Sequence, residues 1–484
     1  MEAGFLDFAP QYPDVGLLQH HLLQTTFYEH TQPPLFPFLL GSVLKLSPFP
    51  DGVTLQGVYL ALGLVLALLL RRVFRRLGLG RWAALAAAGL VVIHPSLVVL
   101  ENVPSYDYPT AVLLAWLVKA FLDHVRQGGV RTFALVLAAT SALVLLRSSF
   151  HPVFFVVVTV VVLVLRPPPG GLRSALLVAV LPALLIVGFM VKNQVLYGQF
   201  GLSTWFGPSL SKVASSVVDA RERNELVRAG EVSALFGRPV FLGYDTYAAD
   251  LPPCRVTHGA VPVLADPVRP RSGTPNLNYE CQLAAYGRQG SDARWVIRHR
   301  PRQFLTAEVG ATQMFFEPAS PIIYSANVKR LSTLDDLYQT VVFGRVKTRP
   351  VVATSWGDLR TAAFGGSYVL VIAVVDVAVV VVVGAAAAGR HRRGQRKVSQ
   401  AGWVFVALVC VWTTASGSLL EINENARFRL PIDPFLIAAS VLVVTRVRTA
   451  VTSRRRAGPR PAGSPISEKT VLSAQALRGR RGGW

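Results

Sequence analysis

VTLQGVYLALGLVLALLLRRVFRR, residues 53–76, decides how this chain is read. An apolar run at 53–70 closes on Arg71, Arg72, Arg75 and Arg76. The run approaches the roughly 20 residues that cross a bilayer. Its arginines stand where a cytoplasmic loop holds them. Outward from this stretch, further apolar runs occupy 82–100, 104–122, 132–150, 151–165, 174–191, 366–388, 402–420 and 431–445. Together they predict about nine spans, the shorter of them tilted or buried. Composition agrees: 52% of residues are hydrophobic and only 16% charged, and the mean hydropathy is +0.43. A soluble chain of this length needs more charge to cover its surface.

Basic residues recur on alternate loops. Arg126 and Arg131 follow the third run, and Arg166 and Arg173 the fifth. Arg390, Arg392, Arg393, Arg396 and Lys397 follow the seventh, and Arg446 and Arg448 follow the ninth. The intervening loops carry Glu101 and Asp107, then Arg147 and His151, then Glu421, Glu424, Arg427 and Arg429. The positive-inside rule makes the basic loops cytoplasmic. The N-terminus and the long segment 193–365 then lie outside, and the C-terminus lies in the cytoplasm. A net charge of +22 is a cytoplasmic belt attracted to anionic lipid, and it calls for no nucleic-acid partner.

Residues 1–50 carry no signal peptide, since no basic stretch precedes an apolar core. An outer N-terminus without one leads to the expectation of a first helix ahead of Met1, lost by start-site choice or in a fragment. The chain then divides into five regions. Residues 1–52 form a first outer loop, with an interfacial helix at 34–46 started by Pro33 and Pro34. Residues 53–192 form a helical bundle, and 193–365 a small outer domain with amphipathic patches at 208–229 and 292–313. Residues 366–445 hold the last spans, and 446–484 a disordered basic tail. Cys254 and Cys281 share the outer segment, where a disulfide or two free thiols are both compatible with the sequence; Cys410 lies in a span.

Polar chemistry concentrates on the outer loops, which the topology brings to one side at headgroup depth. An acid there can take a proton from an acceptor hydroxyl. Arginine and lysine can hold a phosphate as it leaves. His94 and His124 are read as structural.

Four motifs stand in order: Gln32-Pro33-Pro34-Leu35-Phe36; Asp107-Tyr108-Pro109; Arg147-Ser148-Ser149-Phe150-His151; and Glu424, Arg427-Phe428-Arg429 and Pro431. In this register the chain resembles integral-membrane glycosyltransferases of the GT-C fold, over roughly 10–445. It is similar to the protein mannosyltransferase (glycosyltransferase 39) and aminoarabinose transferase families. The resemblance implies an all-α multi-span bundle with an active site on the outer face. It implies transfer of a sugar from a polyprenyl-phosphate donor to a glycan, lipid or protein acceptor. A first-loop carboxylate would be the base, with Asp14 the first choice and Asp7 and Glu29 the others.

Arg147, Lys192, Arg427 and Arg429 are expected to bind the donor phosphate. His30, Gln32, Asp107, His151 and Glu424 are expected to bind substrate. Related families include metal-dependent and metal-independent enzymes, and no ligand spacing here decides whether a divalent cation takes part. Arginine-rich, Val/Ala-rich usage suits a bacterial plasma-membrane protein. The alternatives are a transporter or flippase of lipid-linked sugars, or an inactive homologue serving as a scaffold. Asp376, alone within the run 366–388, is the residue that favours the transporter.

Overall fold

The computed structural model describes residues 6–7, 9–318, 328–347, 367–369, 395–422 and 424–456. They are overwhelmingly helical, and they fall into two units, 1–441 and 442–484.

Three short helices build the first loop: α1 (Val15–His20), α2 (Leu22–Tyr28) and α3 (Leu35–Leu46). The last is the helix expected after Pro33-Pro34. Tyr12, Leu18, Leu22, Phe36 and Leu40 pack into one buried cluster with Tyr106 and Leu146, which roots the first loop on later helices. The long helix α4 (Asp51–Arg76) follows, with Asp51 in its first turn and Arg75 and Arg76 in its last, the arrangement that suits the helix dipole.

The run at 82–100 is not one span. It breaks into α5 (Arg81–Val92) and α6 (Pro95–Leu100). Pro95 disfavours helical geometry at the residue before it. His94 is accordingly extended, with ψ 117°, and its Nδ1 accepts the Ser96 N–H at 3.1 Å as a cap.

The centre of the bundle is α7 (Asp107–Gln127), which ends at Gly128 in the left-handed region with φ 73°. It packs against α4, against α8 (Val130–Leu146) and against α17 (Gln395–Leu419). Phe121 and Phe405 stack with centroids 4.0 Å apart in the last of these contacts. Then come α9 (Pro152–Leu165) and α10 (Gly171–Tyr197). Leu177, Leu181 and Val195 of α10 are exposed by 70%, 67% and 77%. Such a face is disfavoured in water and normal against lipid.

Asp51–Arg76, Gly171–Tyr197 and Val398–Leu419 are long and apolar enough to cross a membrane among the described residues. Arg81–Val92, Val130–Leu146 and Pro152–Leu165 are apolar but shorter. The chain is therefore read as a membrane protein.

The segment after α10 folds from α11 (Phe206–Ser215), α12 (Ala220–Arg228), α13 (Pro262–Ala265), α14 (Gln282–His299), α15 (Pro301–Phe315) and α16 (Val328–Phe343). The expected patches 208–229 and 292–313 each divide in two, the second at Arg300 where Pro301 starts a new helix. Leu210, Val213, Leu226, Ala293, Val296 and Phe304 share one core. Cys254 and Cys281 form a disulfide, with Cα atoms 5.7 Å apart, and Cys410, outside that bond, is buried.

Strand β1 (Arg345–Lys347) pairs antiparallel with β2 (Ser367–Val369). The run expected at 366–388 thus begins in a strand, and its remainder, with Asp376, lies outside the described residues. The chain closes with α18 (Asn425–Arg429) and α19 (Asp433–Arg456). Helix continues to Arg456, so the tail is not irregular from 446 onward; residues 457–484 lie outside the described set.

Candidate functional site

A cavity of about 840 Å³ opens where five connections meet. Gln11 and Gln32 come from the first loop. Tyr106 and Asp107 begin α7, and Arg147, Ser149 and His151 link α8 to α9. Gln199, Phe200 and Trp205 link α10 to α11, and Glu421, Glu424 and Arg427 lie between α17 and α19. Residues far apart in sequence therefore line one space.

Its wall holds a buried ion cluster. Asp107 is 1% exposed, and its Oδ1 lies 2.8 Å from Nη1 of Arg147. Its Oδ2 lies 3.7 Å from Nε of Arg427, whose Nη1 is 3.1 Å from Glu424. Arg147 caps the end of α8 in extended geometry, which turns its side chain off the helix. The guanidinium sits over Tyr106 at 4.9 Å and Phe428 at 4.4 Å. A cation so enclosed needs a counter-charge and aromatic faces to offset lost hydration. Nε and Nη2 of Arg147 make no hydrogen bond. The cluster therefore has donors left for an anionic ligand.

A second pair lines the same cavity. Lys212 of α11 forms an ion pair with Glu421, whose Oε1 also accepts the Ile422 N–H at 2.9 Å. Burial raises the Glu421 carboxyl above the ordinary carboxylate range, and Lys212 partly offsets this. Lys212 and Glu421 were not among the expected site residues. The signal was faint: one lysine in an otherwise apolar, serine-rich helix.

The first-loop acids stand elsewhere. Oδ1 of Asp14 accepts the N–H groups of Gly16 (2.8 Å) and Leu17 (3.2 Å), and Oδ2 accepts that of Arg271 at 2.9 Å. Asp14 is thus the N-cap of α1 and does not line the cavity. Asp7 pairs with Arg271 at 3.1 Å, also away from the cavity. Glu29 is 2% exposed, and neither carboxylate oxygen finds a hydrogen bond. Burial holds its carboxyl well above 4.5, against the pull of Lys192 and Arg269.

His30 is locked within the fold as well. Its Nδ1 lies 2.9 Å from the Thr204 hydroxyl and its Nε2 3.1 Å from the Asn278 carbonyl. Lys192 donates to the carbonyls of Phe27 (2.8 Å) and Glu29 (2.9 Å) rather than to a cavity ligand. Arg429 is fully buried and bound by Asp433 and two carbonyls. Of the expected residues, Gln32, Asp107, Arg147, His151, Glu424 and Arg427 meet at the cavity. Asp7, Asp14, Glu29, His30, Lys192 and Arg429 do not line it.

No protein-family model, no curated protein and no solved structure matches the chain. Among the described residues no group of three or more His, Cys, Asp or Glu side chains could hold a metal ion. Asp107 is a poor start for one, since two guanidiniums already neutralise it.

His30 gives the fold a pH dependence. Burial pushes its imidazole down to about 3 from 6.5. Between those values the unfolded chain binds a proton that the folded one refuses, so stability falls as pH falls through that window. Glu29 has the opposite sign: above 4.5 the folded chain keeps a proton that the unfolded chain releases, so its contribution falls as pH rises. Unfolding midpoints measured across pH should separate the two. The advantage of the native chain over His30→Asn should shrink on acidification below about 6.5. Its advantage over Glu29→Gln should shrink as pH rises. A pH-independent difference in both would remove this account.

Proposed function

We propose that the protein is a membrane glycosyltransferase of GT-C type, moving a sugar from a polyprenyl-phosphate donor to an acceptor. One observation carries the reading: Arg147 and Arg427 share the buried carboxylate of Asp107 on the wall of a cavity that also holds Glu421 and Glu424. Two guanidiniums so placed suit a phosphate that gains negative charge as the glycosidic C–O bond breaks. The nine-span arrangement and an outward-facing cavity belong to the same proposal.

Within it the base is Glu421 rather than a first-loop acid. The first-loop acids lie away from the cavity, whereas Glu421 lines it and has its proton affinity raised by burial. A carboxylate shifted toward neutrality is the better base for an acceptor hydroxyl. Glu421 takes that proton, the hydroxyl oxygen bonds to the anomeric carbon, and polyprenyl phosphate departs toward Arg147 and Arg427.

The test is incubation of the purified chain with a panel of radiolabelled polyprenyl-phosphate sugars and membrane extract as acceptor, scored for donor loss. At least one donor should be consumed, and Glu421→Gln should slow this by about 10²–10⁴. Donor that binds but is never consumed would instead favour a transporter of lipid-linked sugars or an inactive scaffold.

A further inference from the structure

One side of the cavity is aromatic. Phe200, Trp205, Phe206 and Phe241 line it together with Gln199 and Arg294. The rings of Trp205 and Phe241 lie 4.7 Å apart at 49°. Phe200 and Phe206 are exposed by 63% and 49%.

Three features hold this rim in place, each by a different physical means. Phe241 is the sole non-glycine with positive φ, at 62°, among the described residues. A bulky residue in that region is strained, and such strain persists where the surroundings impose it. The Thr204 N–H donates to the His30 carbonyl at 2.8 Å, and the Ser203 hydroxyl donates to that of Thr31. These bonds fix the backbone that carries Trp205. Gly207, just behind it, lies so close to α14 that a Cβ there would come within 2.7 Å of the Tyr286 carbonyl. The rings are thus preorganised on a cavity wall, with polar side chains beside them.

We propose that Trp205, Phe206 and Phe241 form a carbohydrate-binding subsite, seating the apolar face of a sugar ring while Gln199 and Arg294 meet its hydroxyls. A sugar ring presents an apolar C–H face and a hydroxylated edge. An aromatic wall carrying a few placed polar groups is complementary to both. Aromatic residues that merely anchor a protein at the membrane surface need neither a cavity nor a strained backbone. The subsite rests on the glycosyl-transfer reading only for the origin of the sugar, acceptor or donor.

The full-length chain in nanodiscs can be examined by saturation-transfer NMR with the methyl α-glycosides of mannose, glucose and galactose. Transfer to the ring C–H protons of at least one glycoside is expected. Trp205→Leu and Phe241→Asn should each weaken binding by about ten-fold. Asparagine tolerates positive φ, so Phe241→Asn should keep the unfolding midpoint while losing the sugar. Transfer to none of the glycosides overturns the subsite. So does transfer unchanged in both variants, or variants that alter only partition into phosphatidylcholine vesicles.

Donor kinetics separate the sources. A raised donor KM in the variants places the donor sugar on the rim, and an unchanged donor KM with lost glycoside binding places the acceptor there. A chain that binds glycosides through the rim yet consumes no donor keeps the subsite and loses the reaction.

Discussion

Under the proposed glycosyl transfer, Arg147→Ala should lower donor consumption by about 10²–10³, the usual effect of removing one donor from developing negative charge. It should also cost about 3–5 kcal/mol of stability, because Asp107 would keep only the longer 3.7 Å contact to Arg427 while 1% exposed. The two losses are separable. In the double variant Arg147→Met with Asp107→Leu both charges go, and replacing a whole buried pair by apolar groups is often neutral. Its unfolding midpoint should recover toward that of the native chain, and its activity should not. Donor consumption restored along with stability would show that the guanidinium only supports the fold, and the phosphate site would have to be sought elsewhere.

Arg429→Met should be the most damaging change to the fold. Arg429 is fully buried: Nε donates to Asp433 at 2.8 Å, and Nη1 donates to the carbonyls of Phe315 and Glu317, each at 2.7 Å. The change would strand a carboxylate and two carbonyls in the interior, at a cost of about 3–5 kcal/mol for the broken ion pair alone. The expected readout is a large drop in the unfolding midpoint and in the folded fraction recovered from membranes. Adding Asp433→Leu should restore much of it. A folded single variant that loses only donor affinity would return Arg429 to the phosphate-binding role its sequence position suggested.

The contrast between Arg427 and Arg429 shows where reading the chain stops. The two arginines lie two residues apart in one short helix and look equivalent in sequence. The turn of α18 directs one to Asp107 at the cavity and the other to Asp433 and the end of α15. Asp14 and Asp107 make a similar pair. Both are acids near a helix start, but Asp14 is consumed by three backbone N–H groups, while Asp107 receives Arg147 from the next helical connection. Glu421 and Glu424 both lie just ahead of Arg427, yet Glu424 pairs with Arg427 and Glu421 with Lys212.

Apolar length, alternating basic loops, helix-starting prolines and the order of the polar loops were all legible along the chain, because they are local properties: bilayer thickness sets run length, and backbone chemistry sets where helices begin and end. The break at His94 was not foreseen, although Pro95 interrupts the run 82–100 expected as one span. Which charges meet was decided only in three dimensions. A buried ion must find a partner or stay neutral, and that partner is set by helix rotation and packing. Asp107, Arg147 and Arg427 became one site in this way, while Asp14, His30 and Arg429 became part of the frame around it.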